Sequence, residues 1–166
     1  MVELIVVMVL IGIIGTVAVG RFMERSTFDT VAWTEQVRST LRYAQKVAIA
    51  QNHPVYVHMT QERLALCLDS DAACARLDAR LLAPGGANSG SKQTGSACGS
   101  NSWMCEAHPD GVSMGLPGRP LVPIGGVVFN GLGRAAMLGA FGGKLEVKGD
   151  GITTVIGIDP ESGYVD

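Results

Sequence analysis

An uninterrupted apolar run opens this sequence and limits what the chain can fold into. Residues 4–20, LIVVMVLIGIIGTVAVG, contain no charged side chain, and Glu3 directly precedes them. A helix of roughly 17–25 apolar residues is long enough to cross the hydrocarbon core of a bilayer. Secretory signal peptides instead have a basic segment before a shorter apolar core and a small-residue cleavage site after it. Neither flank is present here, so the run predicts a retained transmembrane helix over residues 1–21.

Glu3 is the unusual residue at the start of this run. If its carboxylate stays at the level of the lipid headgroups, the energetic cost is small and the residue is merely interfacial. If it enters an apolar assembly, it needs a cation, and the first twenty residues contain no basic side chain. The nearest positive charge is then the N-terminal amine of another chain. Glu3 is therefore the candidate assembly residue.

Three small residues lie four positions apart within the run: Gly12, Thr16 and Gly20. This spacing places them on one helix face, where small side chains let a second helix approach closely. They are the candidate helix-packing residues. The alternative is that glycine is simply frequent in membrane helices.

The helical pattern continues beyond the apolar run. Over residues 22–53, apolar side chains such as Val37, Leu41 and Ala44 recur every three or four positions, while polar residues fill the other faces. This periodicity predicts an amphipathic continuation of the helix that packs one side against a sheet. Pro54 ends it, because the residue before a proline is displaced from the helical region.

Residues 54–166 predict a β-rich head with tight glycine turns. A hairpin is expected over residues 54–60 and 63–68, followed by a short helix over 71–82 and a long surface loop over about 83–110. Later strands are expected at 111–114, 126–129, 135–138, 144–148 and 153–158. The predicted fold class is α+β: a long N-terminal helix with a membrane-spanning first half, packed on a C-terminal antiparallel β-rich head.

The cysteines occur as two pairs with the same C-x6-C spacing. Four cysteines allow three pairings, and the two local pairings would close short loops, as is typical of an oxidising compartment. The spacing lacks the C-x2-C signature of a zinc site, so no metal ligand is predicted. The disulfide candidates are Cys67, Cys74, Cys98 and Cys105.

The charges beside the apolar run conflict with these cysteines. Arg21 and Arg25 follow the run, so the positive-inside rule would keep the remaining chain in the cytoplasm. An oxidising location and this rule agree only if basic residues precede Met1 in the natural sequence. We therefore expect a missing upstream segment.

Two motifs resemble catalytic or cofactor signatures. Residues 131–136, GLGRAA, match the dinucleotide fingerprint G-x-G-x-x-A, but nearby glycines would break the helix that this fingerprint requires. Residues 111–115, GVSMG, match the nucleophile elbow G-x-S-x-G, but a proline follows where a helix must start. We expect a turn and a strand end at these two places, with no catalytic, cofactor or metal residue. Ser113 would be the first candidate nucleophile if the head were an enzyme.

Several segments carry a family resemblance. Residues 2–7, VELIVV, and 10–14, LIGII, resemble the N-terminal segment of type IV pilins and type II secretion pseudopilins, in which a basic leader precedes an N-methylated phenylalanine. Residues 41–51 with Pro54-Val55, and residues 129–134, resemble minor pilins of the GspH/FimT type. Residues 21–22, 26–28 and 162–165 are most similar to the MshC-type minor pilins of mannose-sensitive haemagglutinin pili.

The resemblance implies a non-enzymatic minor pilin or pseudopilin. It would assemble into, prime or cap a type IV pilus through its N-terminal helix, with Glu3 paired to the N-terminal amine of a neighbouring subunit. Implied partners are other pilin subunits, an inner-membrane assembly platform and, for the full-length precursor, prepilin peptidase. The implied location is a single pass of the inner membrane with the head in the periplasm, or the assembled pilus or pseudopilus.

Three alternatives bear on this interpretation. A type II secretion minor pseudopilin has the same sequence features. A protein of another class, a signal-anchored periplasmic enzyme or ligand-binding domain, is the rival. DNA uptake by some FimT-like members uses a basic C-terminal motif, whereas this chain ends with Tyr164-Val165-Asp166 and has no arginine after Arg134. DNA binding is therefore not expected.

Overall fold

A long helix, α1 (Val2–Gln51), begins the fold. A computed structural model of the chain describes residues 2–119 and 123–166, and within α1 it describes the side chains of residues 2–13 and 27–51. The helix ends where Asn52 adopts a left-handed conformation with φ 48° and the amide of His53 bonds to the carbonyl of Ala48 at 3.2 Å. This is the C-terminal geometry that satisfies otherwise unpaired helix carbonyls, and it lies directly before Pro54, as the sequence predicts.

The prediction of a membrane-spanning first half of this helix is wrong. In the part of the chain that the structure describes, no helix combines the length and apolar character needed to cross a membrane. The single-pass inner-membrane localisation depended on that span and is corrected with it.

Two antiparallel sheets follow the helix, as predicted for the β-rich part. The first has the strand order β3-β2-β1-β5-β6 and the second has the order β4-β7-β8. Every strand predicted from the sequence is present within one residue at each end. The strands are β1 (Val55–Met59), β2 (Arg63–Cys67), β3 (Cys105–Ala107), β4 (Val112–Gly115), β5 (Gly125–Phe129), β6 (Ala135–Leu138), β7 (Lys144–Gly149) and β8 (Ile152–Gly157).

The second half of α1 lies against both sheets and forms the centre of the core. It contacts β1 and β5 of the first sheet and β4, β7 and β8 of the second. Its buried positions recur at three- and four-residue steps, which is the spacing of one helix face. Full burial of a large aliphatic side chain stabilises a fold by about 1.5–3 kcal/mol. These helix residues are Trp33, Val37, Leu41, Ala44 and Ala48.

The middle of the chain differs from its prediction in two ways. Residues 71–82 do not form an α-helix; they form turns and one 3₁₀ helix (Leu77–Ala79), with Cys74 outside it. The predicted long loop over 83–110 instead contains α2 (Lys92–Cys98) and the strand β3. Ser91 caps α2 by accepting a bond from the amide of Thr94 at 3.1 Å, and Gly99 ends it with φ 68°.

Candidate assembly surface

The first twelve described residues of α1 form an exposed apolar surface, which we call the N-terminal segment (residues 2–13). Monomeric proteins rarely expose a continuous apolar patch of this kind unless it contacts a partner. Exposure ranges from 48% at Val7 to 75% at Val2. The large apolar side chains exposed here are Val2, Leu4, Ile5, Val6, Val7, Met8, Val9, Leu10, Ile11 and Ile13.

Glu3 is the single charge on the N-terminal segment. It lies in the first turn of α1 and its side chain is exposed. An acidic side chain is favourable there, because the first turn of a helix carries partial positive charge. None of the three close ion pairs among the described residues includes Glu3. The carboxylate is thus accessible to a second molecule.

The structure describes the surroundings of one of the three predicted helix-packing residues, Gly12. Gly12 is exposed, and a Cβ atom added to it would meet nothing within 4 Å. The helix surface is therefore open at this point to an approaching neighbour. The predicted positions Thr16 and Gly20 lie outside the residues whose side chains the structure describes, and Met1 lies outside the described residues altogether.

Residues 27–30 of the helix contact the second sheet. The hydroxyl of Thr27 donates to Asp150 Oδ2 at 2.7 Å, in the turn between β7 and β8. Thr30 is fully buried, whereas Phe28 is 72% exposed and Val31 is 50% exposed on the outer side of the helix. Among the described residues, apolar exposure on α1 is thus found both in the N-terminal segment and at Phe28 and Val31.

The four cysteines form one of the three pairings that the sequence leaves open. The bonds are Cys67–Cys74 and Cys98–Cys105, with Cα atoms 6.1 Å and 5.9 Å apart. Both disulfides pack against the buried ring of Trp103, and together they form a small second core. We call residues 67–105 the disulfide lobe.

Two arginines pack over the ring of Trp103. The guanidinium carbon of Arg80 lies 4.3 Å from the ring centroid and that of Arg63 lies 5.2 Å from it. Such cation–π contacts contribute about 0.5–2 kcal/mol each. Arg63 Nη1 also donates to the carbonyl of Ala97 at 2.7 Å, and Arg80 Nε donates to that of Cys74 at 2.9 Å. This cluster was not predicted from the sequence, because its aromatic and basic residues lie far apart in the chain and form no local motif.

Two groups in and beside the disulfide lobe, Arg63 and Asp71, have pKa values that their surroundings lower. Burial lowers the pKa of Arg63, and the nearby charge of Arg80 lowers it further. The Asp71 carboxyl has a lowered pKa mainly because it accepts bonds from the amides of Ala75 and Ala73. Those two bonds, at 2.9 and 3.1 Å, shape the loop that Cys67–Cys74 closes.

The catalytic-like motifs have structural explanations. Ser113 lies on β4, is exposed, and donates to the carbonyl of Lys148 at 3.4 Å; no histidine in the described chain hydrogen-bonds to it. The G-x-G-x-x-A motif forms the turn from β5 to β6, where Asn130 Oδ1 accepts from the amides of Leu132 and Arg134. No helix follows this turn, so the prediction of a turn is confirmed.

No metal site was found in the part of the chain that the structure describes, since no three potential ligands cluster there. Comparisons of the chain with protein-family models, curated proteins and solved structures found no match. The resemblance to pilins therefore rests on the quoted sequence segments alone.

Proposed function

We propose that this chain is a non-catalytic filament subunit, a minor pilin or a type II secretion pseudopilin, that assembles through its N-terminal segment. The observation that carries the proposal is the exposure of ten large apolar side chains on one end of α1. The other end of the same helix packs one face against both sheets. One helix therefore joins a folded head to an exposed apolar segment.

The distribution of apolar side chains around this segment favours a multi-subunit assembly. A helix that pairs with one partner needs an apolar stripe on one side, with polar residues elsewhere. The N-terminal segment is apolar all round except for Glu3, and such a helix is stable only when it is surrounded. Several neighbouring helices, as in the core of a filament, would cover every side.

Glu3 fits the same arrangement. Burial of an unpaired carboxylate is costly, and an opposite charge at close range offsets the cost. The N-terminal segment has no basic side chain, and in this proposal the positive charge comes from another chain. The pilin resemblance supplies one by implication, the N-terminal amine of a neighbouring subunit. This contact would serve a subunit that primes a pilus, one that caps it, and a secretion pseudopilin alike.

Leu4→Asp is expected to abolish incorporation of this protein into filaments. The substitution adds an uncompensated charge to a surface that assembly buries, at a cost of several kcal/mol, or about a hundredfold or more in association. Leu4 is 65% exposed in the isolated chain, so the head should fold normally. Filaments sheared from cells that encode the variant in place of the wild type are quantified for this subunit by immunoblot.

Leu77→Asp is the matched control for that experiment. Leu77 is 75% exposed and lies in the 3₁₀ helix of the disulfide lobe, far along the chain from the N-terminal segment. Incorporation of this variant should equal that of the wild type. Wild-type incorporation of Leu4→Asp would refute assembly through the N-terminal segment.

A further inference from the structure

A cleft at the edge of the disulfide lobe has the size of a small-molecule site. It lies between the β1–β2 turn, α2 and the segment that follows β3, and its volume is about 690 Å³. Ligand pockets typically measure about 300–1,000 Å³. None of its lining residues belongs to α1, so the cleft is separate from the proposed assembly surface. Its charged residues are Glu62, Arg63, Lys92, His108 and Asp110.

Apart from His108, the set contains two acidic and two basic residues, and these four come from three parts of the fold. Glu62 and Arg63 belong to the β1–β2 hairpin, Lys92 begins α2, and Asp110 follows β3. Despite their shared cleft, none of the four is a member of the three close ion pairs among the described residues. Both signs are therefore accessible to a ligand.

Two of the four groups are held in place by neighbours. Asp110 Oδ2 accepts a bond from Gln93 Nε2 at 2.8 Å. The Arg63 guanidinium packs on Trp103 and donates to the carbonyls of Ala97 and Ala73 at 2.7 and 3.4 Å. Its lowered pKa, caused by burial and then by Arg80, indicates a cation in a setting that disfavours positive charge. The neighbouring charge of Glu62 offsets part of this effect, and an anionic group of a ligand would offset more of it.

We propose that this cleft binds a dipolar ligand, a short peptide with free termini. The ligand carboxylate would contact Arg63 and Lys92, and its ammonium group would contact Asp110 and Glu62. Ala97 and Ala107 supply the apolar part of the lining for the body of the ligand. A purely anionic ligand would be repelled by the two carboxylates, and a purely cationic one by Arg63 and Lys92. A ligand with both charges can pair with the acidic and the basic residues of the cleft at the same time.

Calorimetric titration of the full chain with three peptides tests the proposal. Trialanine carries both charges, N-acetyl-trialanine carries only the carboxylate, and N-acetyl-trialanine amide carries neither. Saturable binding of trialanine is expected, with at least a tenfold weaker affinity for each blocked form, because each lost end removes a charge-assisted hydrogen bond. Absent binding of trialanine, or equal binding of either blocked peptide, would overturn the proposal.

Exposed variants locate the binding in the cleft. Lys92→Gln and Asp110→Asn each remove one charge from an exposed side chain, and each should raise the dissociation constant for trialanine about tenfold. Lys46→Gln removes an exposed lysine from α1, outside the cleft, and should leave binding unchanged. Unchanged affinity in both cleft variants would refute this location. Arg63 is left intact because it also packs on Trp103.

Discussion

Trp103→Ala is expected to lower the free energy of unfolding by about 3–5 kcal/mol, the range for removal of a large buried aromatic side chain. Trp103 is 1% exposed and lies against both disulfides. Its removal also ends the contacts of the Arg63 and Arg80 guanidinium groups with the ring. Denaturant unfolding of the oxidised protein, followed by circular dichroism, measures the change.

Trp103→Phe serves as the graded control for this prediction. Phenylalanine keeps an aromatic ring in contact with the arginines but loses the bond from Trp103 Nε1 to the carbonyl of Leu66, which is 3.0 Å long. That carbonyl also accepts a bond from the amide of Leu81 and so keeps a partner. The loss should be clearly smaller than for alanine. A loss below about 1 kcal/mol for Trp103→Ala would contradict the role of this ring as the centre of the lobe.

Gly126→Ala is expected to destabilise the fold by about 3 kcal/mol, the upper end of the usual range for an overpacked core. Gly126 lies on β5 opposite His58 of β1. A methyl group there would overlap the main-chain oxygen of Val57, which cannot rotate away as a side chain can. The strands β1 and β5 would have to separate, and the midpoint of thermal unfolding reports the loss.

Gly95→Ala is also a glycine-to-alanine substitution, but we expect it to raise the stability of the fold. Gly95 lies within α2, and an added Cβ atom would meet nothing within 4 Å. Alanine in a helix is favoured over glycine by about 0.5–1 kcal/mol, so this variant should be slightly more stable than the wild type. If both variants shifted the midpoint equally, the predicted clash at Gly126 would be wrong.

The regular elements of the head could be predicted from the sequence because their signals are local. Alternating side chains and glycine turns define the strands, and Pro54 defines the end of α1. The predicted strand 135–138 agrees with β6 at both ends, and the others differ by one residue at most. The division of these strands into two sheets around the helix was not predicted, since it depends on contacts between distant residues.

The disulfide lobe was predicted poorly because long-range contacts organise it. Its sequence is rich in glycine and serine, which favours the prediction of a loop. The structure instead anchors this region through buried Glu106, which accepts from the amide of Ser89 at 2.7 Å and from the hydroxyl of Thr94 at 3.0 Å. Ser91 as the cap of α2 was the one local signal available. The cleft charges, spread over residues 62–110, left no motif to recognise.

For the N-terminal segment, the local structure could be predicted from the sequence, but its surroundings could not. Its apolar composition was evident, but composition alone does not distinguish a bilayer from other helices as the surrounding medium. The sequence was interpreted as a membrane-spanning helix, but no helix among the described residues is long and apolar enough to cross a membrane. Exposure on every side of residues 2–13 is the observation that favours a partner made of several helices.

Site-specific photo-crosslinking provides the sharpest test of assembly through the N-terminal segment. A photoreactive phenylalanine analogue is placed at Val9, which is 55% exposed, and in a separate variant at Leu77 in the lobe. Intact filaments are irradiated, and the adducts are identified by mass spectrometry. We predict covalent adducts between position 9 and the N-terminal helices of neighbouring filament subunits, and none from position 77. Irradiated filaments that contain the protein but give no subunit adduct from position 9 would contradict the proposal.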